Sequence, residues 1–307
     1  MISDSLGIPV RPIRRFGSYK SLWNNRISNR ILRFEIRQRL YETCEYVVSA
    51  GRRYLTYNIG PYLKDSEFNA LGTLPVLVDY WKGTSPCQFA RCYRKCEPVR
   101  FSSFESLAYV KQSTGIQCEH FPYSIPDHWV NPPLTERVFE ICVVGRTSPV
   151  LYQWLDRFTN SHPQVNVVIA HLGDDKVIMA RSSRLGVIGE VNSRTRYFDM
   201  LRSSKVALYS TPGMDGGEVR TGGFSPVTPK FLEFIASGCE VVARYHENAD
   251  TEFFELDQVA WPAKTYRQFE RSVEEALERR DEERLIVRAK YIQRHLTSQP
   301  IALLSSL

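Results

Sequence analysis

The chain has 307 residues, 43% of them hydrophobic and 24% charged, with a formal net charge of +6. That length suits about two domains, and the composition is that of a globular protein with a sizeable core, which excludes a fibrous or low-complexity chain. No apolar run approaches the ~20 residues of a membrane-spanning helix, and the opening MISDSLGIPVRPIRR lacks the apolar stretch of a secretion signal, so a cytoplasmic protein is expected.

The positive charge is concentrated at the start. Residues 1–40 hold nine Lys and Arg against Asp4 and Glu35, a local excess of +7. Residues 1–25 read as irregular. From Arg26 the pattern turns helical, with Ile27, Ile31, Phe34 and, less regularly, Leu40 near one face and Arg30, Arg33 and Arg37 on the other. Such a face suits a solvated domain helix, contact with the anionic inner face of a membrane, or nucleic acid, the last being the least favoured.

Strand candidates follow at EYVVSA (45–50), RYLTYNI (53–59) and LPVLVDYW (74–81). SSFESLAYVKQSTG (102–115) reads as a helix with Ser102 or Ser103 as its cap and Gly115 as its stop. The segment 117–137 carries Pro122, Pro126, Pro132 and Pro133 and reads as a link between domains. The second half is more regular. RVFEICVVG (137–145), QVNVVIAHLG (164–173), GVIGEV (186–191), KVALYST (205–211), CEVVARY (239–245) and QVAWPA (258–263) read as strands. SPVLYQWLDRFTN (148–160), NSRTRYFDMLRSS (192–204) and the charged stretch 272–296 read as helices. Strands alternating with helices predict a parallel, doubly wound sheet.

The seven cysteines are odd in number, and several lie in apolar runs, which suggests reduced thiols rather than a disulfide framework. CQFARCYRKC brings Cys87, Cys92 and Cys96 close, with Cys118 and His120 downstream. That spacing is a poor fit to the paired knuckles of structural zinc sites, so no metal is expected.

The sharpest local pattern is TPKFLEFIASGCEVVARY (228–245). Thr228 stands at a capping position, Pro229 at the first helical position, and Gly238 at the stop. The loop 212–227 before it holds five glycines, Gly213 the first of them, and joins it to the carboxyl end of the strand KVALYST. Ligands bind at that edge of open α/β sheets. A helix start attracts phosphate, and Lys230 adds a full cation there. Glu233 is one turn on, on the same side, where a carboxylate can accept bonds from the two hydroxyls of a ribose. A solvated Lys and Glu helix pair is the plain alternative; a nucleotide is the functional one.

PKFLEFIASGCEVVA resembles the donor-nucleotide motif of GT-B glycosyltransferases, with a group 1, family-4-like C-terminal domain. ICVVGRTSPVLYQW, GVIGEVNSRTRYFDMLRSSKVALYST and RAKYIQRHL are similar to other parts of that domain, in the same order; before residue 138 only the segment 101–126 looks familiar. The resemblance implies an α/β protein of GT-B type, two Rossmann-like domains with parallel sheets facing across a cleft. The domains would run 1–132 and 133–290, with a terminal helix in 291–307 crossing back to the first.

It further implies transfer of a sugar from a nucleotide sugar, UDP being favoured, to a hydroxyl of a glycan or lipid-linked acceptor, without a metal or other cofactor. Glu233 would bind ribose. Thr228, Lys230, Gly145 and Arg146 would face the diphosphate, and Gly213 would belong to the donor loop. His171, at the end of its strand, is a candidate for contact with sugar or phosphate. Ser225 stands where many retaining members carry a first glutamate, with Asp215 and Glu218 as loop substitutes. An inverting reaction needs a base, for which Asp79 and His120 are candidates, each also readable as an ordinary loop residue. A non-catalytic protein binding nucleic acid or an anionic surface, a sugar-nucleotide epimerase and a DNA-modifying glycosyltransferase are the rival functions.

Overall fold

The computed structural model describes residues 54–59, 73–82, 85–93, 98–130, 136–173, 177–278 and 282–299. The basic segment 1–40, the strand candidate 45–50, Cys44 and Cys96 lie outside the described residues, as does the side chain of Cys92. The chain divides into two compact units, one ending at Pro122 and the other beginning at Tyr123.

The described part of the first unit has four strands, β1 (Tyr54–Ile59), β2 (Thr73–Val78), β3 (Val99–Phe101) and β4 (Cys118–His120). They pair in the order β1-β2-β3-β4, all parallel. Helix α1 (Pro86–Tyr93) connects β2 to β3, and α2 (Phe104–Thr114) connects β3 to β4. Ser103 caps α2 by accepting from the Ser106 amide, and Gly115 ends it in the left-handed region at φ 69°. Leu77, Phe89, Tyr93, Phe101 and Val110 form the core beneath these helices, with Tyr80 set edge-on to Phe89 and Phe101.

The second unit begins with residues that are already packed. Ile125 is buried and bridges Leu296, and Trp129 lies 4.3 Å from the Phe198 ring. Its strands are β5 (Phe139–Val144), β6 (Val167–Leu172), β7 (Ile178–Ser182), β8 (Gly186–Glu190), β9 (Ser204–Ser210), β10 (Glu240–Arg244) and β11 (Ala260–Pro262). Among the described residues they form one sheet in the order β11-β10-β9-β5-β6-β7-β8.

Strands β11 to β6 are parallel. The expected parallel sheet is present, with an antiparallel edge: β7 and β8 run antiparallel to their neighbours. Only residues 173–177 join β6 to β7, and only 183–185 join β7 to β8. A parallel return needs a crossover of about a dozen residues, so these strands must fold back as hairpins.

Helices cover both faces. On one lie α4 (Arg194–Arg202), α5 (Pro229–Ala236) and α9 (Glu282–Arg294), packing Phe198, Leu201, Phe231, Phe234, Tyr291 and Ile292 against the sheet. On the other lie α3 (Pro149–Ser161) and α8 (Tyr266–Glu278), which bring Leu151, Leu155, Phe158, Phe269 and Val273. The short helices α6 (Ala249–Phe253) and α7 (Leu256–Val259) connect β10 to β11. Strand β5 shows why its sequence is a continuous apolar run: Phe139 and Cys142 face one core, Ile141 and Val143 the other.

Candidate functional site

The carboxyl edge of the second sheet collects the ends of β5, β9 and β10. After β5 the chain turns at Gly145, whose φ of 62° lies in the left-handed region while a Cβ there would meet nothing. Backbone conformation, not space, therefore selects glycine. Its amide donates to the Ala170 carbonyl at 3.1 Å, tying the turn to β6. Three residues on, Ser148 caps α3 by accepting from the Val150 and Leu151 amides.

The loop from β9 to α5 folds back on itself. A Cβ on Gly213 would overlap the Phe224 carbonyl oxygen and crowd the Thr221 hydroxyl, so glycine there serves the loop's own closure. Thr211 and Ser225 bond through their hydroxyls at 2.5 Å. Asp215 sits in the left-handed region at φ 53°. It is pinned by Arg244, whose Nε and Nη2 donate to its two oxygens at 2.6 and 2.8 Å, and by the Ser148 hydroxyl. The Arg244 guanidinium holds the Asp215 carboxyl below the usual carboxylate range, against burial. Glu218 accepts from Arg220 at 2.8 and 3.1 Å and pairs with Arg146. Both loop substitutes for the first glutamate are thus engaged by arginines, and Ser225 at the glutamate's own place is buried.

Helix α5 starts where these loops meet. Thr228 occupies the capping position, but no side chain caps the helix. The expected Thr228 cap is corrected for a geometric reason. Buried Tyr209 lies beneath, its hydroxyl accepting from the Thr228 amide at 3.0 Å and lying 3.4 Å from the Thr228 hydroxyl.

Lys230 in the first turn reaches back to β5, donating to the Arg146 carbonyl at 2.7 Å and to that of Val144 at 3.3 Å. It joins the α5 start to the Gly145 turn. Burial pushes its pKa down to about 8, opposed by Glu233 and reinforced by Arg146. A half-buried ammonium of this kind is still mostly charged at neutral pH.

Glu233 is only 7% exposed. Arg194 Nη2 donates to its Oε1 at 2.6 Å, and the Tyr197 hydroxyl donates to Oε2 at 2.8 Å. Burial and the neighbouring carboxylate push the Tyr197 phenol well up, so it remains a donor. The Arg194 guanidinium lies within 5.3 Å of the Trp129, Tyr197 and Phe198 ring centres. The sequence reading did not single out Arg194 and Tyr197. Their signal was present: with Ser193 capping α4, they stand three residues apart on one helix face.

His171 stands apart from this cluster. It is an exposed residue of β6, opposite Met179, and none of the described contacts joins it to Lys230 or Glu233.

In the first unit, the register Leu77, Phe101, His120 places Asp79 and His120 at the carboxyl edge of the sheet. The β3 strand lies between them, so their backbones are about 10 Å apart across the sheet. Asp79 follows β2 at φ 56°, a conformation that aspartate tolerates better than most residues. His120 stacks on Phe104 at 3.8 Å, and burial pushes it down to about 4, against a Ser102 backbone bond that raises it. Its ring is neutral at physiological pH.

Cys87 is exposed, Cys118 donates to the Ile116 carbonyl, and Cys142 and Cys239 are buried. Among the described residues no group of three or more His, Cys, Asp or Glu could hold a metal ion. No described helix is long and apolar enough to cross a membrane.

No family model matches the chain, and no curated protein matches it in sequence. Solved structures do match. The N-terminal domain of Candida albicans trehalose-6-phosphate phosphatase aligns with a TM-score of 0.56 and 10% identity, covering 97% of this chain and 82% of that one. An alpha,alpha-trehalose-phosphate synthase (UDP-forming) from Burkholderia vietnamiensis aligns with a TM-score of 0.50 and 11% identity, covering 92% and 81%. At such identity the likeness concerns the fold alone, which is α/β of the GT-B type.

Proposed function

We propose that this protein is a glycosyltransferase that moves a sugar from a nucleotide sugar, a UDP-sugar in the favoured reading, to an acceptor hydroxyl without a metal ion. One observation carries the reading: Lys230, at the start of α5, is tied to the carboxyl end of β5, with buried Glu233 one turn further on the same helix. A cation and a helix start suit a diphosphate, and a fixed carboxylate beside them suits a ribose. The likeness to a synthase described as UDP-forming supports the choice of nucleotide.

In this reading Lys230 and the first turn of α5 hold the diphosphate and stabilise its charge as it leaves. The Gly145 turn lets the backbone approach the phosphates, and Arg146 exchanges Glu218 for them. Asp79 is the better candidate base, because His120 is stacked and only weakly basic. The acceptor hydroxyl would belong to a glycan or a lipid-linked acceptor at the inner face of a membrane, a choice supported by the +7 excess of residues 1–40.

Calorimetric titration with UDP, GDP, ADP and CMP, with and without EDTA, tests the proposal. One nucleoside diphosphate should bind, insensitive to EDTA, and Glu233→Ala should abolish the binding. Unchanged affinity in Glu233→Ala counts against it. A second, non-catalytic reading draws on the pairing of Arg146 with Glu218 and on Ser225 in place of the first glutamate. It expects no nucleotide binding, and binding to nucleic acid or anionic lipid that weakens steeply with salt.

A further inference from the structure

We infer that Arg194 and Tyr197 are positioning residues that set the orientation of the Glu233 carboxylate, and through it the protein's preference for a ribose over a 2′-deoxyribose. The inference rests on the proposal that Glu233 faces a nucleotide.

A glutamate side chain turns freely about its last bond, so a carboxylate meant for two vicinal hydroxyls needs its plane fixed. Here each oxygen is held separately. Oε1 accepts from Arg194 at 2.6 Å and Oε2 accepts from Tyr197 at 2.8 Å. An ionised carboxylate has about four lone-pair directions; the two bonds occupy one on each oxygen and leave one on each for a ligand.

The donors are themselves fixed. Both stand on one face of α4, whose start is locked by the Ser193 hydroxyl accepting from the Arg196 amide at 3.2 Å. The guanidinium of Arg194 lies 5.3 Å from the Trp129 ring, 4.9 Å from Tyr197 and 5.1 Å from Phe198. These aromatic faces hold the cation without competing acceptors. Trp129 in turn packs on Phe198. Glu233 needs this support from another helix, because α5 offers it only its own backbone and Lys230, whose ammonium is bonded to β5.

The arrangement has a second consequence. The Arg194 side chain is half exposed, whereas Glu233 is nearly buried. The charge of Glu233 is thus balanced from the solvent side, and a neutral hydroxyl pair is a better guest at its remaining lone pairs than an anion.

The test compares UDP with 2′-deoxy-UDP by calorimetry on the full chain. Wild type should bind UDP about tenfold more tightly, as expected for one bond to a charged acceptor. Tyr197→Phe keeps the ring and removes one tether; it should weaken UDP severalfold, leave 2′-deoxy-UDP nearly unchanged, and so shrink the ratio to about twofold. Arg194→Lys, at a half-exposed position, should do the same while keeping the charge. A purely structural role would weaken both ligands equally. The inference is overturned if both variants keep the wild-type ratio while Glu233→Gln abolishes it, since ribose binding would then stand without the two supports. A wild-type ratio of one overturns it together with the ribose reading. Melting temperatures of each variant separate unfolding from lost selectivity.

Discussion

Lys230 gives the most informative pH experiment. Its pKa is lowered to about 8 chiefly by burial, so about nine-tenths of the molecules carry the charge at pH 7 and about one-tenth at pH 9. A diphosphate bound against the ammonium favours the protonated form and raises its pKa. Binding must then take up a proton wherever the free protein has lost it. The affinity for UDP should be flat below about pH 7 and fall towards tenfold per pH unit above about 8. For the protein without ligand the sign is opposite. The folded pKa lies below the unfolded value of 10.5, so the unfolded chain binds more protons between about pH 8 and 10.5, and stability from this group rises with pH across that window. The assay is calorimetric titration of UDP from pH 6.5 to 9.5 in buffers of different ionisation enthalpy, with Lys230→Met as control. The control should bind weakly and lose the extra pH dependence. An affinity as flat in wild type as in Lys230→Met between pH 7 and 9 would refute the placement of phosphate at this lysine.

Three further outcomes follow from named contacts. Glu240→Gln leaves Arg288, only 5% exposed, facing a neutral amide while Arg284 loses the same partner; stability should fall by about 3–5 kcal/mol in urea denaturation, and a loss below about 1 kcal/mol refutes the pairing. His295 is buried against Phe254 and Tyr291, and burial, with Arg294, pushes it down to about 4. Its folded pKa is below the unfolded one, so this group's contribution to stability drains as pH falls from about 6.5 towards 4, by about 3 kcal/mol; His295→Phe should remove that share of the slope and leave the share of His120. Gly213→Ala forces a Cβ into the Phe224 carbonyl, and thermal unfolding should show a loss of about 1–3 kcal/mol, with UDP affinity reduced because the loop must move.

The helix α5 was legible in the sequence because its start and stop are written in local chemistry, Pro229 at one end and Gly238 at φ 82° at the other. The Thr228 cap failed because the competing partner, Tyr209, is nineteen positions away in the chain, and no local pattern reports it. Strand β7 was missed because its buried residues are Ala180 and Ser182, while its larger side chains Ile178 and Arg181 are exposed. Small and polar residues at the buried positions leave no apolar run to detect. Lys230 and Glu233 could be singled out as a pair, yet their partners could not. Arg194 and Tyr197 come from a helix 39 and 36 positions earlier, and Asp215 meets Arg244 across 29. Those meetings are set by the strand order, which places β9 between β5 and β10, and such an order is a global property that no single motif carries.

The most direct test of the central claim is a crystal structure of the protein with UDP. The account predicts the diphosphate within hydrogen-bonding distance of Lys230 Nζ and the first turn of α5, and both ribose hydroxyls on the Glu233 carboxylate. A nucleotide bound elsewhere, or a site at Lys230 and Glu233 left without nucleotide at saturating UDP, would contradict it.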